Sequence, residues 1–148
     1  MIDISVSERV EAPAERVWAL VGDFNLVRRW MPSVEHSTKF GSGIGAERVL
    51  LISGGARIVE RLEAHDEAGR STTYSFVEGP LPVTRCLTTI RVDPDGGQAC
   101  TMVWSSRFEP DGLPPEEVAR LYEALYRAAI SNVRRVMVRG VRRCNSSP

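Results

Sequence analysis

The chain has 148 residues, the length of one domain, and a single core of this size buries about 70% of the surface its unfolded chain exposes. Its 19 acidic residues balance 19 basic ones, of which all but Lys39 are arginine, so the overall positive field of a nucleic-acid binder is missing and no nucleic-acid partner is expected. Cys86, Cys100 and Cys144 form neither an even disulfide set nor a C-x-x-C pair, no apolar run approaches the ~20 residues of a membrane span, and no secretory leader is read before the first strand. A cytoplasmic location without a membrane span is the expectation. His36 and His65 read as surface or loop residues without a ligand-spaced partner, so neither a metal nor a cofactor is expected.

Residues 2–11 alternate strictly, with Ile2, Ile4, Val6, Glu8 and Val10 on one face, and predict a half-buried strand. "APAERVWALVGDFNLVRRWMP" then predicts two short helices, broken at Gly22 and stopped by Pro32. Trp18 belongs to the apolar stripe of the first and is assigned to the core. "GSGIG" at 41–45 is read as a hairpin turn rather than a phosphate loop, because no helix follows it in a βαβ context. Strands are predicted at about 46–52, 57–65, 71–79, 85–93 and 98–109.

Their even positions agree: Ile58, Leu62 and Ala64, Tyr74 and Phe76, Ile90 and Val92, then Met102, Trp104 and Phe108 make one apolar face. Arg57, Arg61, Arg85, Arg91 and Arg107 fall on the other, with Val59, Val77, Leu87 and Val103 scattered among them. Face matching across "DPDGG" pairs Val92 with Cys100 and Thr88 with Trp104 around a loop of Asp95, Gly96 and Gly97, and puts Cys86 opposite Ser106. From Pro114, "PPEEVARLYEALYRAAISNVRRVMVRG" predicts an amphipathic helix of about 25 residues. The arginines at its end (Arg134, Arg135, Arg139, Arg142, Arg143) suit the helix dipole, with a phosphate-binding patch as the alternative. The expected fold class is α+β: a curved seven-stranded antiparallel sheet around a long C-terminal helix, with two short helices after the first strand. Residues 1–138 are expected to be one ligand-binding domain and 139–148 a C-terminal tail.

Glu8, Glu60 and Glu78 read as the only charges on the inner face. A carboxylate in a dry core costs several kcal/mol unless it is protonated, hydrated or paired. The interior is therefore read as a wet hollow, with Trp30, Leu62, Tyr74, Phe76, Trp104, Phe108, Tyr122 and Tyr126 as candidate walls and the three acids as candidate anchors. The alternatives stay open that Glu8 and Glu78, near strand ends, reach solvent at the rim, and that the aromatics are ordinary core.

These strings, in this order, resemble the helix-grip superfamily of START domains, the birch-pollen allergen and the bacterial polyketide cyclase/dehydrase-like (SRPBCC) proteins. "APAERVWALVGDFNLVRRWMP" is similar to the family's opening signature, and "SGGARIVERLEAHDE" and "YSFVEGPLP" resemble segments of the plant abscisic acid receptors and the lachrymatory factor synthase. The resemblance implies a gate loop at Ser53, Gly54, Gly55 and Ala56 and a latch loop at Gly79, Pro80, Leu81 and Pro82, both closing over a ligand. It implies a ligand-holding role for Glu60 and a catalytic one for Glu78, while the synthase's arginine position is occupied here by Ala56. Two functions follow. The preferred one is binding of a small hydrophobic or amphipathic molecule; the other is a cyclase, dehydratase or isomerase with Glu78 or Glu60 as proton shuttle. A partner-binding domain with a vestigial cavity is a third reading, for which the outer face offers no large apolar patch.

Overall fold

The computed structural model describes the backbone of residues 1–146 and the side chains of residues 1–140. Strand β1 (Ile2–Val10) is followed by helix α1 (Ala14–Val21) and a 3₁₀ turn at Val27–Arg29. Strands β2 (Val34–Phe40), β3 (Glu47–Ile52), β4 (Arg57–Asp66), β5 (Ser71–Glu78), β6 (Val83–Pro94) and β7 (Cys100–Pro110) come next, and helix α2 (Pro115–Ser146) ends the chain. The seven strands form one antiparallel sheet in the order β1-β7-β6-β5-β4-β3-β2. This is the α+β helix-grip fold.

The second short helix contracts to the single 3₁₀ turn, because Asp23 to Leu26 are spent on leaving α1. There the Asp23 carboxylate accepts from the Asn25 amide at 2.9 Å, a local turn that competes with helix. Gly22 follows α1 and has to be glycine for a steric reason: a side-chain carbon there would lie 2.7 Å from the Trp18 indole. Trp18 is buried, as expected of a core residue, and its Nε1 donates to Glu67 at 3.0 Å.

Alternation predicts the inner face correctly along most of β4 to β7 and fails where strands bulge. In β4 the register shifts between Leu62 and Ala64, so Ala64 is exposed; His65 is exposed too, as expected, and stacks on Trp18 with 5.3 Å between rings. In β6 it shifts between Thr84 and Leu87, where Arg85 has positive φ. The β6–β7 register also differs from the expected one: Val92 pairs with Met102, Thr88 with Ser106 and Ile90 with Trp104. The turn is longer by two residues, since Pro94 pairs with Cys100 and Asp95 N donates to Ala99 O at 2.9 Å. Cys86 therefore sits in the bulge, not opposite Ser106, and it and Cys100 are buried free thiols. Val59, expected on the outer face, is also buried.

Helix α2 opens with Pro115, Glu116 and Glu117, favourable at a helix N-terminus. It buries Val118, Tyr122, Tyr126, Ala129, Ile130, Val133 and Met137, a stripe at helical spacing. It continues as helix through residue 146, into the segment 139–148 expected as a tail. Cys144, Arg142 and Arg143 lie outside the described side chains. Arg134 ties α2 to β1: its Nε and Nη2 donate to Arg9 O at 3.1 and 2.7 Å.

Candidate functional site

A cavity of about 230 Å³ lies between the first turns of α2 and the concave face of β3 to β7. Each sheet residue on its wall is even-numbered: Leu50 and Ile52, Ile58 and Glu60, Tyr74 and Phe76, Cys86 and Thr88, and Trp104 among them. Tyr122 and Tyr126 of α2 close the side opposite the sheet. Leu121 and Leu125 also border the cavity, yet are 55% and 40% exposed. With Leu81 they form its mouth.

The polar centre is an ion pair whose cation, Arg48, is not among the residues expected on the inner face. Arg48 on β3 sits directly across from Glu60 on β4, and its Nε and Nη2 donate to Glu60 Oε1 at 2.9 and 2.7 Å. The side chains are 4% and 15% exposed. Arg48 Nη1 donates to Phe24 O at 2.6 Å, and the guanidinium lies 4.3 Å from the Phe24 ring centre and 4.6 Å from that of Tyr74. A desolvated cation between two ring faces gains about 2 kcal/mol or more per favourable face, which helps offset its removal from water. So the inner face carries a cation as well as acids. Position 48 shares the parity of Leu50 and Ile52, which was the signal available for it.

The three candidate acids go to three different places. Glu60 faces the cavity. Glu8 is mostly buried but does not line it: Arg127 and Arg134 of α2 hold its two oxygens at 3.1 and 3.2 Å. Glu78 is 59% exposed and paired at 2.6 Å with Arg57, itself exposed. Its predicted inward position is corrected by the irregularity in β4 between Val59 and Glu60, which sets Glu78 against Val59 instead of continuing the Glu60–Phe76 alternation. Val77 and Glu78 both reach solvent there, and the carboxylate keeps its hydration.

Among the aromatics, Tyr74, Phe76, Trp104, Tyr122 and Tyr126 line the cavity. Trp30 and Phe108 do not; they stand behind it as core, Trp30 edge-on to Trp104 at 5.3 Å and Phe108 tilted against Tyr122 at 5.4 Å. Leu62 is buried away from it. Trp104 stacks on Tyr126 with centres 4.4 Å apart, which fixes the back wall. Of the two loops, only Leu81 borders the cavity. Ser53 to Ala56 form a tight turn with Gly54 and Gly55 at φ +96° and +97°, a region closed to most side chains. Its Ser53 amide donates to Ser33 O at 2.9 Å, beside the cavity wall.

A hydroxyl chain runs along the floor. Thr88 Oγ1 is 2.8 Å from Ser106 Oγ, which bonds the Tyr126 hydroxyl, and the Cys86 thiol is 3.6 Å from Thr88 Oγ1. Burial pushes the phenols of Tyr74, Tyr122 and Tyr126 up, the Glu60 carboxylate adding to the effect. Burial likewise raises the Cys86 thiol. All four therefore stay protonated at neutral pH, a set of neutral donors around a neutralised acid.

Fold and chamber together define a helix-grip protein of the START-like class. The chain belongs to the family described as polyketide cyclase / dehydrase and lipid transport, whose family model matches residues 1–138. A protein of known structure from Bacillus thuringiensis is similar at 29% identity and TM-score 0.87, over 93% of this chain and 99% of that one. One from Thermobifida fusca is 36% identical with TM-score 0.72, over 85% and 83%. Norcoclaurine synthase from Thalictrum flavum, in complex with dopamine and hydroxybenzaldehyde, shares the fold at 20% identity and TM-score 0.70, over 93% and 87%. Members of this family typically bind small hydrophobic ligands. Among the described residues, no helix is long and apolar enough to cross a membrane.

Proposed function

We propose that the chain binds one small, uncharged, largely apolar molecule in the chamber between α2 and the sheet, with Glu60 as its polar anchor. The observation that carries this reading is the pairing of Glu60 with Arg48 inside an aromatic-walled cavity. The pair is neutral, so the chamber offers an acceptor without asking for a cation. An anion would face the Glu60 carboxylate while the guanidinium is already engaged by Glu60 and Phe24 O. A dry cavity of about 150 Å³ holds benzene, so the volume here scales to a ligand of about nine or ten non-hydrogen atoms. Access runs between Leu81 and the leucines of α2, and the two loops supply the flaps that close it. Catalysis through Glu78 finds no support in this geometry, since that carboxylate stands outside the chamber.

NMR titration with ethylbenzene tests the reading. Saturable one-to-one binding is expected, with shifts concentrated on Leu50, Tyr74 and the Trp104 indole, and a melting temperature that rises with ligand concentration. A folded protein that shows no saturable shifts, or shifts only on the outer sheet face, would refute it.

A further inference from the structure

We infer that the molecule taken by this chamber carries a hydrogen-bond acceptor at one end, a carbonyl or ether oxygen met by the Tyr122 hydroxyl, and a donor at the other, a hydroxyl or amine met by Glu60 Oε2. The inference rests on the ligand-binding reading above and adds the polar pattern that selects the ligand.

Two buried donors bordering the chamber lack a partner among the described residues: the Tyr122 hydroxyl and Trp104 Nε1. Both residues line the cavity and are more than nine-tenths buried. Their neighbour Tyr126, one helical turn along α2, shows the contrast: its hydroxyl is satisfied by Ser106 within the floor chain. Tyr122 borders the chamber, and burial keeps its phenol protonated, hence a donor. Buried polar groups are rarely left unpaired, and those that are need a reason; here a bound oxygen supplies one.

The opposite wall offers the converse. Both Arg48 bonds to the carboxylate fall on Glu60 Oε1, while Oε2 accepts none among the described residues. That oxygen is a charged acceptor in a low-dielectric pocket, where a ligand O–H or N–H makes the stronger, charge-assisted kind of hydrogen bond. Glu60 stands on β4 and Tyr122 on α2, and both border the chamber, the one from the sheet and the other from the side opposite it. An uncharged aromatic ring with a hydroxyl and a carbonyl at opposite ends meets size and polarity together.

The test uses the full chain and five probes of one size: ethylbenzene, 4-ethylphenol, acetophenone, 4-hydroxyacetophenone and benzoate, measured by calorimetry or NMR titration. Each satisfied group should tighten binding by about tenfold, so 4-hydroxyacetophenone binds about a hundredfold more tightly than ethylbenzene and benzoate binds weakest. Tyr122→Phe should erase the preference for acetophenone over ethylbenzene and keep that for 4-ethylphenol. Methylating the phenol, as in 4-ethylanisole, should erase the latter on the unaltered protein, a result that does not depend on any variant folding. If ethylbenzene and the polar probes bind alike, the polar pattern is wrong while the chamber stands. If none binds to folded protein, the chamber reading fails with it. A Tyr122→Phe protein that still prefers acetophenone overturns the role given to Tyr122.

Discussion

Around Ile130 and Val133, helix α2 packs into the core through aliphatic side chains with no exposed surface. Around Tyr122 and Tyr126 the same helix meets it through rings, hydroxyls and a chamber. One end is close-packed in the manner of an organic crystal; the other has an ion pair, a hydroxyl chain and unpaired donors. The contrast separates two tasks within one core. The burial at the aliphatic end offsets the volume left unfilled at the aromatic end.

The largest effect should come from breaking the pair at the chamber end. Arg48→Met leaves Glu60 as an uncompensated charge on a mostly apolar wall, and should lose about 3–5 kcal/mol of unfolding free energy in urea. The double variant Arg48→Met/Glu60→Leu removes the charge as well and should recover most of that loss, since apolar replacement of a whole buried pair is often neutral or better. A single variant as stable as the parent would mean that water already reaches Glu60 and that the chamber end is not a low-dielectric site.

At the aliphatic end, Ile130→Ala should cost about 2–5 kcal/mol through lost burial and the void left behind. Leu125→Ala, five residues earlier on the same helix but 40% exposed at the mouth, should cost under about 1 kcal/mol. The binding readout should reverse this order: ethylbenzene affinity changes with Leu125→Ala and is untouched by Ile130→Ala in protein that remains folded. Equal stability costs at the two positions would erase the distinction between the ends.

How much of this was legible beforehand depends on which physical constraint a residue obeys. Strand parity follows from the pleat alone, so the wall positions Leu50, Ile58, Glu60, Tyr74, Phe76, Thr88 and Trp104 fall on one face by counting in twos. Parity puts Arg48 there as well, so the same count that assigns Glu60 to the inner face also assigns its counter-ion. Register is weaker information: a shift of two residues preserves every face, so the β6–β7 pairing could be misjudged by that amount without any side chain changing sides. Bulges are weaker still. Nothing in "RIVERLEAHD" marks the two irregularities of β4, because they arise from pairing with a neighbour rather than from local propensity. The errors at Ala64 and Glu78 share that origin. The split of the aromatics into wall (Trp104) and backing (Trp30, Phe108) is a property of packing depth, which no periodicity encodes.

The smallest predicted effect is at Glu78, and it sharpens the contrast with Glu60 most directly. The two carboxylates sit on adjacent antiparallel strands and each bonds an arginine, at 2.7 Å for Glu60 and 2.6 Å for Glu78. Bond length therefore does not distinguish them; surroundings do. Arg57 and Glu78 are 57% and 59% exposed, so water and salt screen their attraction, and such pairs contribute about 0–1 kcal/mol. Glu78→Gln should shift the urea midpoint within that range, with the shift vanishing in high salt, and leave the affinity for 4-hydroxyacetophenone unchanged. Glu60→Gln should weaken that affinity, because the charged acceptor in the chamber is lost. If Glu78→Gln weakened binding as much as Glu60→Gln, the edge of β5 would have to turn inward when ligand binds, and the chamber would extend to the Gly79 to Pro82 loop.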